Sequence, residues 1–185
     1  MHDPTLSTAQ HRELIEALAL SHVLPHKTLP IEECLGRRLA VDISSLIPLP
    51  PFTNSAMDGF AVRREDLEGE GPWTLPVAGD IPAGDTRDNH LEKGQAWRIM
   101  TGAPIPAGAD TVVKVEDTDH AAGIAQAPET VEIRVAPKLG ENVRVAGEAL
   151  AAGSPVLEAG RVLDGTALSA AASVGHGTLT VLPRP

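Results

Sequence analysis

The chain has no tyrosine, and its aromatics number four: Phe52, Phe60, Trp73 and Trp97. A core must therefore come from Val, Ile, Leu and Ala, and no aromatic platform exists on which bases would stack. Basic residues are also scarce. Fifteen Lys and Arg face 25 Asp and Glu, for a net charge of −10, with no run of cations anywhere. That balance argues against nucleic acid or an anionic membrane surface as a partner. A single cysteine, Cys34, cannot form an internal disulfide, and with seven scattered histidines it makes no structural zinc set. His11, His22 and His26 read as surface or helix-end residues. The expected setting is reducing and cytoplasmic. No positively charged start leads into an apolar segment, so no signal peptide is expected. The longest uncharged stretch, 165–183, is rich in Ala, Ser, Thr and Gly and includes His176, so it is too weakly hydrophobic for a membrane span. Nucleophile-elbow, Walker and dinucleotide-binding patterns are all missing, which removes the serine hydrolase, P-loop and Rossmann readings.

What is present points to a folded protein of short elements. The 185 residues suffice for one sizeable core or two small domains, and 42% of them are hydrophobic despite 17 glycines and 16 prolines. Ser7 and Gln10 have capping-box spacing, and Leu14, Ile15, Leu18 and Val23 recur at helical intervals up to Pro25. A strand end and helical turn over 29–35, closed by Gly36, precede a strand over 38–43. The uncharged segment 44–57 carries Pro48, Pro50 and Pro51 and reads as an extended linker. Beyond it, β-type runs at 59–62, 73–78, 96–100, 111–116 and 131–135 are separated by Pro-Gly turns, with no helical period between them. This spacing predicts a compact β-barrel or coiled sheet and no βαβ unit. After Ser154 comes another strand, then a helix capped by Asp164 and running through Val174, then a strand over 178–182.

Three polar bends are candidates for chemistry. Asn54-Ser55-Ala56-Met57-Asp58-Gly59 lies between the prolines and a strand. Gly59 is expected at positive φ, which leaves Asp58 either in a simple Asx turn or with its carboxylate held outward. Thr101-Gly102 ends a strand at a Pro-braced loop, where the hydroxyl and nearby amides either hold an oxyanion or bond their own backbone. In the third bend, Arg144 and Glu148 suit an anionic ligand and a metal, or else pair with each other at the surface. Glu116 and Asp117 read equally as a solvated strand end.

The order and separation of these segments resemble one family. Asn54 to Arg63, then Pro76-Val77-Ala78-Gly79, then Arg98 to Pro106, then Gly140-Glu141-Asn142-Val143-Arg144 resembles the N-terminal region of the molybdopterin molybdenumtransferases, which include bacterial MoeA and the E domain of gephyrin. The resemblance implies a mainly β fold of bifurcated and coiled β-sheets with an N-terminal helix. It implies a small β-barrel-like domain, 47–146, inserted into a dimerisation domain built from 1–46 and 147–185. Members use Mg²⁺ to insert molybdate into adenylylated molybdopterin, releasing AMP and molybdenum cofactor, and they are elongated homodimers. By the same resemblance Asp58 and Thr101 are catalytic, with Asp58 also a metal ligand, and Ser55, Gly59, Gly102, Arg144 and Glu148 bind the cofactor substrate. The family usually ends its basic run in Gly-Glu-Asp, whereas here the chain reads Arg144-Val145-Ala146-Gly147-Glu148-Ala149. Fewer cations imply weaker capture of the molybdate dianion. An α/β domain with the pterin pocket is expected beyond 185, so the chain is read as a front half, inactive alone. The alternative is a noncatalytic dimerisation or interaction module of the same fold.

Overall fold

The structure, a computed structural model, describes residues 6–21, 25–121, 123 and 126–183. Val23 and His22 lie outside the described residues. The chain divides into two compact units, one drawn from 1–46 and 153–185 and the other from 47–152.

The first unit opens with α1 (Thr8–Ser21). Its capping box forms as the spacing predicts: the Ser7 amide donates to Gln10 Oε1 at 2.9 Å, and the Gln10 amide to Ser7 Oγ at 3.3 Å. Leu14, Ile15 and Leu18 are nevertheless all exposed. Next come β1 (Lys27–Pro30), a 3₁₀ turn at Ile31–Glu33, and β2 (Ile43–Ser44). The strand expected over 38–43 is broken. Arg38 bridges Val162 while Leu39 bridges Val181, so consecutive residues pair with different segments and no continuous ladder forms.

The second unit contains β3 (Asn54–Ser55), β4 (Gly59–Val62), β5 (Trp73–Ile81), β6 (Ala96–Ile99), β7 (Thr111–Lys114), β8 (Thr130–Ile133) and β9 (Val143–Arg144). Five of them form a sheet in the order β7-β4-β6-β5-β8, and β3 pairs with β9. All four residues of β4 are buried, because both faces of the sheet are covered there. Phe60 and Val62 pack with Leu67, Leu75, Val113 and Ile133, while Ala61 turns to the opposite face and packs with Ile81, Ile99 and Val112. Burying Phe60 contributes on the order of 1.5–3 kcal/mol. One pairing in the sheet is parallel, that of β5 with β6. Their crossover, 82–95, is a loop braced by Asp85, whose carboxylate accepts from the Arg87 guanidinium and from Asn89 Nδ2. The unit extends to 152 because Leu49 and Leu150 pair, with the Leu49 amide 2.8 Å from the Leu150 carbonyl.

The chain then returns to the first unit as β10 (Pro155–Leu157), α2 (Gly165–Ser173) and β11 (Thr178–Val181). β10 pairs antiparallel with β2, and β11 with β1. Asp164 caps α2 by accepting from the Ala167 amide at 2.8 Å. The small residues Ala167 and Ala171 face a core of Cys34, Leu39, Ile43, Leu163, Leu179 and Val181. The architecture is mainly β, with curled sheets and few helices. Among the described residues no helix is long and apolar enough to cross a membrane.

Candidate functional site

Two bends of the second unit are zipped together by backbone hydrogen bonds. Ser55 is buried at the first, its amide donating to the Ala103 carbonyl at 3.0 Å and its carbonyl accepting from the Gly102 amide at 2.8 Å. Its hydroxyl donates to the Met57 carbonyl at 2.6 Å and accepts from the Met57 amide at 3.3 Å, which tightens the turn leading to Asp58. Gly102 takes φ +80°, a left-handed conformation that glycine adopts without a Cβ clash. This turn leaves Thr101 opposite Asp58. Its amide and its hydroxyl both donate to Asp58 Oδ1, each at 2.7 Å.

Gly59 corrects one expectation, since it is not at positive φ. It sits in β4 between β6 and β7, and a Cβ there would lie 1.9 Å from the Val113 carbonyl oxygen. The glycine is required by close strand approach instead of by turn conformation.

Alternation along the strands puts Asp58 and Phe60, Arg98 and Met100, and Val115 around one small cavity of ≈ 50 Å³, which Gly123 also lines. That is room for a water or two, or for the end of a larger group. The Thr101 amide and then the Thr101 hydroxyl hold the Asp58 carboxyl below the usual carboxylate range. Burial opposes them in part, and the Arg98 charge adds to the lowering. Asp58 is therefore an anion at neutral pH, with Oδ1 fixed. Arg98 was not singled out as a site residue from the sequence. The available signal was a lone cation between Trp97 and Ile99 in an apolar run. It is 8% exposed, and its Nη1 lies 3.2 Å from Asp80 Oδ2.

The third bend stays apart. Arg144 in β9 pairs across the backbone with Asn54, and its side chain is exposed. Glu148 accepts the Val145 amide at 2.9 Å and so closes its own turn. Among the described residues neither bonds to Asp58, to Thr101 or to the other. Lys114 pairs with Asp117 at 3.5 Å, and Glu116 and Asp117 belong to a 3₁₀ turn after β7.

No group of three or more His, Cys, Asp or Glu side chains that could hold a metal occurs among the described residues. Asp58 offers one carboxylate and Thr101 one hydroxyl. That donor set fits Mg²⁺ arriving with waters and phosphate oxygens, and does not fit a cation caged by protein alone.

The family described as "MoeA N-terminal region (domain I and II)" matches residues 6–175. The chain belongs to this family. Among curated members, it is 44% identical over 160 residues to "Molybdopterin molybdenumtransferase 2" of Mycobacterium tuberculosis, covering 85% of this chain and 38% of that protein. It is 38% identical over 180 residues to the molybdopterin molybdenumtransferase of Synechococcus elongatus, covering 95% of this chain and 43% of the relative. A crystal structure of the molybdopterin biosynthesis moeA protein from Pyrococcus horikoshii superposes with a TM-score of 0.79 at 31% identity, over 94% of this chain and 44% of that one. The chain thus spans between 38% and 44% of the length of these MoeA relatives.

Proposed function

We propose that the chain supplies one wall of a molybdopterin molybdenumtransferase site, acting in molybdenum cofactor biosynthesis. The observation that carries this reading is the Asp58–Thr101 pair, joined by two 2.7 Å hydrogen bonds, with Asp58 lining a small cavity. The reaction is insertion of molybdate into adenylylated molybdopterin, yielding molybdenum cofactor and AMP. Bound Mg²⁺ supplies neutralising charge to the diphosphate oxygens of that substrate. Asp58 would hold the cation through its carboxylate, which the two Thr101 bonds to Oδ1 keep ionised and oriented. Gly59 lets β4 and β7 approach closely enough to form the cavity floor, and Ser55 and Gly102 fix the two bends to each other. Arg144 and Glu148 enter as contacts to the outer part of the same substrate. The unit 47–152 acts as the inserted β domain and the other unit as the dimerisation domain, in a cytoplasmic homodimer. The pterin pocket comes from an α/β domain in the same or another chain.

In the test, the purified 185-residue chain is incubated with adenylylated molybdopterin, Mg²⁺ and molybdate, with and without a separately supplied α/β half. AMP release is expected with that half present and not without it, and Asp58→Ala is expected to lower it about 100-fold or more. Turnover by the chain alone, or turnover indifferent to Asp58, overturns the reading. A second reading, a noncatalytic dimerisation or interaction module, draws on the exposed Leu14, Ile15 and Leu18 of α1. It predicts a dimer whose mass is unchanged by Asp58→Ala and no response to any of the substrates.

A further inference from the structure

We infer that Arg98, held by Asp80, is a positioning residue that sets the charge of the Asp58 cavity, so that a divalent cation enters together with a diphosphate-type oxyanion and not alone. The inference rests on the reading of this cavity proposed above, and extends it to residues the family resemblance did not single out. Arg98 lies within β6, beside Phe60 of β4 and Asp80 of β5 in the strand register. Register neighbours point to one side of a sheet, so Asp80, Arg98 and Phe60 share a face. That face carries the cavity. Among the residues lining it, Asp58 and Arg98 are the charged ones, and the remainder are glycine or apolar.

The exposures of the ion pair are unequal. The Arg98 side chain is 10% exposed and that of Asp80 is 39% exposed, although Asp80 Oδ1 is itself buried without a hydrogen-bond partner. Arg98 thus places a fixed positive charge on the cavity wall alongside the negative charge of Asp58. A divalent cation bound to Asp58 alone would leave surplus positive charge next to a second fixed cation. Among the described residues no further carboxylate lines the cavity to offset it. An oxyanion that chelates the cation removes the surplus and is attracted by Arg98. The Arg98 charge also helps to keep Asp58 ionised, in agreement with the geometry. What matters here is the fixed charge of Arg98, not any open hydrogen-bond donor.

The test uses the whole 185-residue chain and three variants, Arg98→Met, Arg98→Lys and Asp80→Asn, each checked for fold by circular dichroism and thermal melting. Two probes are titrated by calorimetry: Mn²⁺ alone, and a preformed complex of Mn²⁺ with inorganic pyrophosphate. The wild-type chain should bind the complex about tenfold or more tighter than Mn²⁺. Arg98→Met should move the two affinities in opposite directions, about threefold each, tightening Mn²⁺ and weakening the complex, and Arg98→Lys should restore both. Asp80→Asn should shift both probes the other way, which keeps the inference testable if Arg98→Met does not fold. A damaged cavity would weaken both probes together, so parallel shifts, or failure of lysine to rescue, overturn the inference. Asp58→Asn separates the two levels of the argument. If it abolishes binding of the complex while Arg98→Met shifts both probes alike, the role of Arg98 falls and the reading of the cavity stands. If Asp58→Asn leaves that binding intact, or the wild-type chain binds neither probe, the reading falls and the inference with it.

Discussion

The bends at Asp58 and Glu148 each bring a carboxylate to a backbone amide, yet they differ in where the donor comes from. Glu148 takes its amide from Val145, three residues away, and closes a turn that any short peptide of this composition can form. Asp58 takes both donors from Thr101, 43 residues away, and this requires β4 and β6 already paired and the two bends already zipped through Ser55. A carboxylate held by its own turn reports local chemistry. A carboxylate held from across the fold is aimed, and here Asp58 lines a cavity.

The sharpest way to break this contrast is at the backbone under each bend. In Gly59→Ala the new Cβ would meet the Val113 carbonyl oxygen at 1.9 Å and Lys114 Cα at 2.9 Å, both main-chain atoms that cannot swing aside. The expected cost is about 3 kcal/mol or more, seen as a large drop in the denaturation midpoint. Gly147→Ala is the matching change near Glu148. There φ is +76° and the nearest atom, Pro48 Cβ, is 3.4 Å away, so about 1 kcal/mol is expected from backbone strain alone. Equal costs at the two glycines would remove the distinction between a strand-packed and a locally turned carboxylate.

A double-mutant cycle on Asp58→Asn and Thr101→Val comes next in size. Two bonds to one charged oxygen, at an exposed site, should couple by about 1 kcal/mol. The pH dependence has a definite sign. Because the folded Asp58 carboxyl is held below its ordinary value of 3.8, its stabilising contribution is fully present above that pH and is lost as pH falls through the lower folded value. The stability gap between the wild-type chain and Asp58→Asn should stay constant from neutrality down to about pH 5, then narrow in the acid range. A gap that widens on acidification would mean that the Thr101 bonds do not favour the ionised form.

Local signals in the chain were readable, and long-range ones were not. The α1 capping box, the Asp164 cap and the run Gly59–Val62 each depend on neighbours within a few residues, or on burial of a whole strand, so composition reveals them. β3 was hidden in the proline segment because its two residues gain their partners from distant segments, Val143 and Arg144 on one side and Gly102 to Pro104 on the other. The parallel β5–β6 pair was missed because its crossover has no helix to announce it. No spacing rule connects 58 with 101. The family resemblance placed them in one site, and hydrogen bonds join them. Arg98 escaped notice because an isolated cation in a strand carries no pattern until Asp80 and Asp58 are seen beside it.

The smallest effect belongs to Glu148, and it is the most direct check on what a local carboxylate is worth. Glu148→Gln keeps an acceptor oxygen within reach of the Val145 amide and removes only the charge, at a side chain exposed to water. An exposed charge-assisted bond of this kind differs little from its neutral counterpart, so the stability change should be about 0.5 kcal/mol or less at neutral pH. The difference between Asp58→Asn and Glu148→Gln, measured side by side by chemical denaturation, then isolates the part of the Asp58 interaction that comes from preorganisation by Thr101. If the two substitutions cost the same, the bond across 43 residues holds its carboxylate no better than a turn does.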